Sequence, residues 1–472
     1  MFKNPLIRRY RYSLMRPAQF WVYTSIYISI LFLMLLINYS LYDFQRVFKT
    51  LEDLHVSLYT QLLFIQCLLL LIWAAFNSSS AISLERSERT YDFFRILPMP
   101  AYQKMLGILA GKNLVVLLLA SINLVFLLFY AYKAQIGNQM LFQTLFALFS
   151  TALLFNTGGL LISLCAKGKN KGSKIGGIIL LVIFGMPLLI NSMMALSQLS
   201  MLQGKTATFY TLRLPILVLI GSAAIYYTIW NIIGILRRMN KEDQPLFSRF
   251  GALLFLAAYY AFVIGLLFPH VSVVRNEMLA AFWWLTLIPA LIVPYITFFK
   301  TENYLELSAS YRRKNLSRAK TLVSFLFISN LSIAAVLFAI WVIAVYVIKL
   351  YYKIYIPNLT HIVLVIASFY LFLMLLLEIT KTYDSEHGKI FLLAGFIAAA
   401  YLILPPIFAS IFEKEAVAFY SPAGFLFMVL TRGLNNVYSA AGICLYNLLL
   451  SVIPAILIIR RYIQILSPQH PA

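Results

Sequence analysis

The sequence predicts an all-α membrane protein, a polytopic helical bundle of about 12 transmembrane helices arranged as a 6+6 pseudo-repeat. The 472 residues are 62% hydrophobic and only 11% charged, with a mean hydropathy of +0.86. Soluble domains carry about 25% charged residues, so a water-soluble chain is excluded. The net charge of +22 falls between long apolar stretches. It therefore indicates membrane topology, and we expect no nucleic-acid partner.

The apolar stretches define the predicted spans. About 20 apolar residues are needed to cross a hydrocarbon core roughly 30 Å thick as a helix. By this criterion the predicted spans, in chain order, are Phe20–Asn38, Leu58–Phe76, Leu114–Tyr132, Met140–Ala166, Ile175–Ala195, Leu214–Leu236, Ala252–Pro269, Met278–Phe299, Leu322–Ile348, Leu359–Ile379, Ile390–Phe412 and Ile443–Ile463.

The basic residues predict the orientation of these spans. With the N-terminus in the cytoplasm, 28 of the 38 Lys and Arg residues fall in cytoplasmic segments and 10 on the other side. Lys and Arg accumulate on the cytoplasmic side of membrane proteins. We therefore expect a multi-pass protein with both termini cytoplasmic.

The N-terminal segment reads as a retained amphipathic helix rather than a cleavable signal peptide. Between Asn4 and Arg16, apolar residues recur at helical spacing while the arginines point elsewhere. This pattern is typical of a helix lying in the headgroup layer and in contact with membrane lipid. The alternative is a basic anchor that only fixes orientation.

The sequence shows no constellation for catalysis, metal binding or cofactor binding. Cys67, Cys165 and Cys444 lie in separate apolar segments without a second ligand nearby. The segment 107–113 resembles a phosphate loop only superficially, because its spacing is short by one residue and it follows a helix. We expect a transport subunit that is not an enzyme.

Few ionisable residues fall within the predicted spans. Glu378 is expected at the cytoplasmic end of its span, where its carboxylate reaches the interface, and His361 near the opposite end. Six asparagines lie within or near spans, and we expect them to hydrogen-bond between helices, with lining of a transport pathway as the alternative: Asn123, Asn156, Asn191, Asn231, Asn330 and Asn447.

The cytoplasmic loop after the second span is the most informative segment. Glu85, Glu88 and Asp92 are spaced to share one helical face, on which Arg86, Arg89 and Lys104 would be their ion-pair partners. An apolar cluster follows that Pro98 and Pro100 should end, and it consists of Phe93, Phe94, Ile96, Leu97 and Met99. Such a helix either lies on the membrane or docks into a groove of a soluble partner. Docking fits better, because anionic lipid would repel the acidic residues.

This loop resembles the coupling region of type-2 ATP-binding-cassette (ABC) exporter permeases. The residues that match the pattern are Glu85, Glu88, Arg89, Thr90, Leu97, Pro98 and Lys104. The resemblance implies contact with a cytoplasmic ABC ATPase subunit in two copies, an amphipathic elbow at the N-terminus and location in the bacterial cytoplasmic (inner) membrane. It also places Asp92, Phe93, Phe94 and Arg95 in the coupling site.

The second half of the chain reads as a diverged copy of the first. We expect a first permease half over residues 1–240 and a second over 241–472. Glu88 and Glu306 are 218 residues apart, as are Pro187 and Pro405, although chance could produce both intervals. The second loop lacks the Leu-Pro and Gly-Lys pairs and is more basic, so it should couple differently. Its candidate residues are Glu302, Glu306, Arg312 and Arg313.

Prolines late in the fifth and eleventh spans are candidates for an outer gate. They are Pro187, Pro405 and Pro406, and the segments Asn191–Arg213 and Glu413–Asn436 follow them. Packed kinks are the alternative explanation. In exporters of the type that this chain resembles, the region after the fifth span forms short re-entrant helices at the outer face.

Three functional hypotheses follow. The first is an export permease driven by a separate ATPase, with an unidentified substrate. The second is a membrane-embedded, lipid-handling enzyme, which the missing catalytic constellation disfavours. The third is a gradient-driven carrier, which the scarcity of acids within the spans disfavours.

Overall fold

The computed structural model describes residues 4–43, 48, 50–165, 206–241, 244–267, 289, 293, 297, 330–352, 359–382 and 437–466. Nine helices within these ranges are long and apolar enough to cross a membrane, which confirms an all-α polytopic bundle. Each of the nine coincides with a predicted span. Of the remaining predicted spans, Ile175–Ala195 and Ile390–Phe412 lie outside the described residues, and only residues 289, 293 and 297 of Met278–Phe299 are described. The total of twelve spans and the 6+6 repeat therefore stay predictions.

The described helices form two compact units. Unit 1 contains α1 Pro5–Leu14, α2 Pro17–Asp43, α3 Leu51–Cys67, a π-helical segment Leu68–Trp73, α4 Ala74–Ser87, α5 Tyr91–Ile96, α6 Ala101–Lys112, α7 Leu114–Lys133, α8 Asn138–Cys165 and α9 Ile216–Asn240. Unit 2 contains α10 Arg249–Leu267, α11 Asn330–Tyr352, α12 Leu359–Thr382 and α13 Val437–Leu466. A two-stranded hairpin, β1 Thr206–Phe209 and β2 Leu212–Pro215, precedes α9.

Two apolar clusters fill unit 1. The loop-side cluster joins α1, α5 and α6 to the ends of α4, α8 and α9, and its buried members are Leu6, Tyr10, Ala81, Ile82, Phe94, Met105, Ile108, Leu160, Leu164 and Ile235. The distal cluster joins α2, α3 and α7 to the first half of α8, and includes Leu31, Leu58, Leu62, Leu119, Leu127 and Leu148. The C-terminal ends of α4, α8 and α9 meet the start of α7 in the loop-side cluster. These three helices therefore run in one direction and α7 runs in the other, as the predicted order of spans requires.

The N-terminal helix forms as predicted, but protein covers its apolar face. Asn4 caps α1 by accepting a hydrogen bond from the Leu6 amide (2.9 Å). Leu6 and Tyr10 are buried in the loop-side cluster. The expectation that this face meets lipid is therefore wrong, because α6 offers a closer surface.

Two glycines explain how closely α1 approaches α6. A Cβ atom at Gly107 would lie 2.8 Å from the Leu6 Cβ, and one at Gly111 would overlap the Tyr10 ring. The glycines are four residues apart and thus lie on one face of α6. The segment that superficially resembles a phosphate loop is therefore a helix-packing surface.

Asparagines link the spanning helices, as predicted. The Asn123 amide donates to the Leu62 carbonyl (2.9 Å) and Gln66 Oε1 (2.7 Å). Asn156, Asn231 and Asn447 donate to Leu70 O, Thr157 Oγ1 and Ser368 Oγ, respectively, on neighbouring helices. Asn330 donates to Glu378, and Asn191 lies outside the described residues. In a membrane such hydrogen bonds and close packing hold helices together.

Glu378 in unit 2 does not reach the interface. Its side chain is fully buried in α12, and its carboxylate accepts hydrogen bonds from Asn330 Nδ2 (2.6 Å) and the Tyr462 hydroxyl. The prediction of an interfacial carboxylate is therefore wrong, because α11 and α13 close over this end of α12. A buried carboxylate in a candidate span is a costly feature.

We predict that Gly159→Ala destabilises unit 1, whereas Gly158→Ala does not. A Cβ atom at Gly159 would lie 2.8 Å from the Ala75 carbonyl oxygen and 3.1 Å from the Ser79 amide nitrogen, so two backbones would have to separate. At Gly158 the nearest atom is 3.5 Å away. We expect a loss of about 1–3 kcal/mol at Gly159. The measurement is the free energy of unfolding of each variant in mixed micelles; equal values would contradict the close packing of α4 on α8.

Candidate functional site

The helix carrying the candidate site ends in a tight left-handed turn. The Glu88 amide makes the last helical hydrogen bond, to the Leu84 carbonyl (3.0 Å). Arg89 has a positive φ of 58°, and its amide donates to the Arg86 carbonyl (3.2 Å), while the Thr90 amide donates to the Glu85 carbonyl (2.9 Å). This is the Schellman arrangement, in which glycine usually occupies the left-handed position. The predicted common face of Glu85, Glu88 and Asp92 is therefore wrong, since the chain leaves α4 before Asp92.

After the turn, a single short helix projects from the bundle. Helix α5 ends at Ile96, and the Leu97 amide closes it on the Phe93 carbonyl (3.2 Å). The non-helical stretch Leu97–Pro100 follows, in which the Met99 amide donates to the Leu97 carbonyl (2.7 Å), and α6 begins at Ala101. The prediction that the prolines end the helix is confirmed. Each proline lacks an amide and restricts the residue before it, so α5 cannot continue into α6.

The Glu85 carboxylate holds this region together. It is buried and accepts hydrogen bonds from the Arg9 guanidinium (3.1 Å), the Tyr10 hydroxyl (2.9 Å) and the Thr90 hydroxyl. The Lys112 ammonium lies 3.6 Å away. One side chain thus joins α1, the turn after α4 and the end of α6. We call these five residues the Glu85 cluster.

The charges of the Glu85 cluster offset one another. Two cations, Arg9 and Lys112, flank one buried carboxylate, so the cluster avoids the large cost of an unpaired buried charge. Burial raises the pKa of Tyr10, and the adjacent Glu85 carboxylate raises it further. Tyr10 therefore keeps its proton and acts as a donor. Burial lowers the pKa of Lys104, which lies in the first turn of α6.

The predicted ion-pair partners of Glu85 have other neighbours. The Arg86 guanidinium donates to the Leu164 carbonyl (3.3 Å) and lies 4.7 Å from the centre of the Tyr91 ring. Arg89 is exposed at the turn. The pairing predicted for Arg86, Arg89 and Lys104 is wrong for Glu85, because the N-terminal helix and α6 supply its cations.

The aromatic residues of α5 divide into an inner and an outer member. Phe94 is buried in the loop-side cluster, where the Arg9 guanidinium lies 5.0 Å from the centre of its ring. Phe93 contacts Phe94 edge to face at 6.2 Å, and its side chain is 54% exposed. Ile96, one turn later, is 81% exposed. Glu88, Arg89 and Asp92 are also exposed, so the surface around α5 combines apolar groups with charges of both signs.

The other predicted site residues fall outside the described part of the chain. These are the side chain of Arg95, the second-loop residues Glu302, Glu306, Arg312 and Arg313, and the candidate gate residues Pro187, Pro405 and Pro406. Leu97 and Lys104 are half-buried near the site, and Pro98 is exposed.

Several residues of the site were not predicted from the sequence. Asn4 donates from Nδ2 to the Gln103 carbonyl (2.7 Å), and Arg9, Tyr10 and Lys112 surround Glu85. They lie far from Glu85 in sequence, so local spacing carries no signal of these contacts. The glycine pair of α6 was the available signal, because glycines four residues apart mark a close helix contact.

The arrangement presents an exposed apolar surface of the kind that contacts another molecule. Within the described ranges, no group of three or more His, Cys, Asp or Glu residues could hold a metal ion. The exposed feature is a short helix with two apolar side chains, held by a buried charge cluster. Comparison with family models, with curated proteins and with solved structures found no match.

We predict that Glu85→Gln destabilises the protein and that Glu88→Gln, three residues away, does not. The first change removes the charge that Arg9 and Lys112 face, at a cost of about 1–3 kcal/mol for charged hydrogen bonds. The second alters an exposed side chain, and we expect an effect within about 0.5 kcal/mol. Unfolding of both variants by SDS titration tests this. A stability of Glu85→Gln equal to that of the parent would show that the cluster does not stabilise the fold.

Proposed function

We propose that this chain is the transmembrane permease subunit of an ABC exporter. A separate cytoplasmic ATPase, present in two copies, would hydrolyse ATP, and this chain would move an unidentified substrate out of the cell. Both termini would lie in the cytoplasm, and the membrane would be the bacterial inner membrane. The chain itself would break no covalent bond and need no cofactor.

The observation that carries the proposal is the exposed apolar tip of α5. Phe93 and Ile96 are one helical turn apart and point away from the bundle, while Phe94 anchors the same helix from the inside. Large apolar side chains that enter a partner's pocket supply most of the affinity of a protein interface. A helix of only six residues presents them at a fixed position because Tyr91 and Leu97, at its two ends, also pack on the loop-side cluster.

The charges beside the tip favour a protein partner over a lipid surface. Glu88 at the end of α4 and Asp92 on α5 are exposed, and anionic lipid headgroups would repel both carboxylates. An apolar groove with a basic rim would accept the aromatic ring and the acids together. This combination supports docking to a soluble subunit.

The Glu85 cluster gives the docked helix a route to the spanning helices. Thr90 lies at the start of α5, Glu85 on α4 and Lys112 immediately before α7. A displacement of α5 would therefore act on α4 and α7 through charged contacts. In the proposal, this is how ATP-driven closure of the ATPases reaches the membrane domain.

The proposal includes a second, unequal coupling loop. Glu302 and Glu306 would meet the second ATPase copy, in a more basic loop without the Leu-Pro end. The two permease halves, residues 1–240 and 241–472, would then form one six-plus-six transport domain with Pro187, Pro405 and Pro406 near its outer gate.

One observation favours a second candidate function, a gradient-driven carrier. Such carriers need an ionisable group within the membrane, and Glu378 is fully buried in a candidate span. Its contacts with Asn330 and Tyr462 join three helices, so a change in its charge would be felt by all of them.

We predict that Phe93→Ala and Ile96→Ala weaken association with the ATPase without unfolding the permease. Both side chains are exposed, so their loss costs little stability, whereas truncation of an interface anchor costs roughly 1–4 kcal/mol of binding. Tyr132→Ala is the matched control, because Tyr132 is 80% exposed at the opposite end of α7. Co-purification of the ATPase and its stimulated ATP hydrolysis are the measurements. Unchanged association in both α5 variants would refute the proposed docking.

We predict that Glu378→Gln leaves ATP-driven transport in place if the first function is correct. Glutamine keeps one oxygen to accept from Asn330 Nδ2, and its amide group can donate to the Tyr462 hydroxyl, but it cannot release a proton. Transport by reconstituted vesicles, with ATP alone and with an imposed proton gradient alone, distinguishes the two candidates. Gradient-driven uptake that Glu378→Gln abolishes would replace the exporter proposal with the carrier.

A further inference from the structure

The longest helix of the described chain contains a π-helical interruption. It runs over 37 residues from Leu51 to Ser87, about 55 Å at 1.5 Å per residue. Between Leu68 and Trp73 the hydrogen bonds change to the i→i−5 pattern, and the Ala74 amide donates to the Leu69 carbonyl. Such segments are rare and usually mark a functional position in a helix.

The helix changes its neighbour at this interruption. Before it, α3 packs on α7, where the Asn123 amide holds the Leu62 carbonyl at 2.9 Å. After it, α4 packs on α8, where Ser163 Oγ accepts from the Ile82 and Ser83 amides (2.9 and 3.1 Å). The part of the helix before the interruption thus packs on α7, and the part after it packs on α8.

The interruption lies at the edge of the distal cluster, next to the interval that separates the two apolar clusters of unit 1. The distal cluster ends on this helix at Ala74, and the loop-side cluster begins at Ala81. A polar layer fills the interval. Ser78 Oγ donates to Asn156 Oδ1 (3.0 Å) and accepts from Asn113 Nδ2 (2.9 Å). Asn156 Nδ2 reaches the Leu70 carbonyl inside the π segment (3.3 Å).

A polar layer of this kind is easier to rearrange than an apolar core. Close-packed apolar side chains interlock and transmit displacement as a unit. Hydroxyl and amide groups can exchange hydrogen-bond partners, and Asn113 Oδ1 is a buried acceptor without a partner in the described structure. The polar contacts between the distal cluster and the loop-side cluster are therefore easier to rearrange than either cluster.

We propose that Leu68–Trp73 is a hinge on which α4 bends relative to α3. Helix α8 has no interruption over Asn138–Cys165 and packs on α4, so α4 and α8 move together and the first half of α8 shifts against the distal cluster, while α3 stays with α7. The purpose of the hinge rests on the proposed function, since α4 carries Glu85 and leads to the docking helix. The bending itself does not require the ATPase, so it can be tested in the purified chain.

Electron paramagnetic resonance distances test the hinge in the purified protein in lipid nanodiscs. Spin labels replace Val56 and Leu84, two exposed residues on either side of the interruption, after alanine replaces Cys67, Cys165 and Cys444. The label positions are about 42 Å apart along the helix. The control pair is Phe142 and Ile162 on α8, exposed and about 30 Å apart. We expect a broad distance distribution across the interruption and a narrow one on α8.

A π segment holds one residue more than an α-helix of the same length. Deletion of Leu71 removes that residue and restores α-helical hydrogen bonding. It should narrow the Val56–Leu84 distance distribution to the width of the control distribution on α8. A narrow distribution in the parent protein, or a broad one that persists in the folded deletion variant, would overturn the hinge. If the deletion variant does not fold, Asn156→Leu decides, because it removes the polar contacts with Leu70 and Ser78. A narrower Val56–Leu84 distance distribution in this variant supports the hinge, and a distribution as broad as that of the parent overturns it.

The same variants separate the hinge from the proposed function. With the ATPase present, the Leu71 deletion should retain association and lose transport, whereas Phe93→Ala should lose association. If the α5 variants leave association unchanged, the docking proposal fails and the resonance result stands. If the distances show no bending, the hinge fails while docking is still decided by co-purification.

Discussion

The organisation of unit 1 at its loop-side end depends on the burial of one carboxylate. A buried charge must be paired and hydrogen-bonded, and the residues near Glu85 in sequence do not supply enough partners. Arg9 and Tyr10 come from the N-terminal helix and Lys112 from the end of α6, so these elements must meet. The glycines of α6 permit that meeting, since any side chain at Gly107 or Gly111 would block α1. The position of α5 follows from the same contacts.

The sequence predicted well those features that depend on local patterns. Apolar length identified each described span, and the prolines after α5 identified its end. The asparagine contacts also followed, because an amide in a membrane helix needs a partner. Less could be predicted of the site. The common acidic face was wrong because α4 ends at a left-handed Arg89, a position that glycine would have signalled. The partners of Glu85 and the burial of Glu378 depend on helices distant in sequence, and no spacing rule encodes those contacts.

Within a membrane, water does not drive helices together, so their association depends on specific contacts. Unit 1 uses two kinds. Gly159 lets the backbones of α4 and α8 approach closely, and Ser163 then bonds to amides of α4. Asn123 and Gln66 join α3 to α7 in the same manner. Because these contacts hold α3 to α7 and α4 to α8, the two halves of the long helix have different neighbours, and the π segment lies where the neighbour changes.

Among the described residues, each unit has a buried glutamate that accepts a hydrogen bond from a tyrosine hydroxyl. In unit 1 the pair is Glu85 and Tyr10, and in unit 2 it is Glu378 and Tyr462. A carboxylate has two oxygens and about four acceptor positions, so one side chain can bind donors from several helices at once. An apolar side chain of similar size cannot fix direction in this way. A buried carboxylate therefore sets the relative rotation of the helices that it joins. If one donor shifts, the other donors must move with it to keep their hydrogen bonds. In unit 1, the position of α5 therefore depends on the positions of α1 and α6 as well as on that of α4.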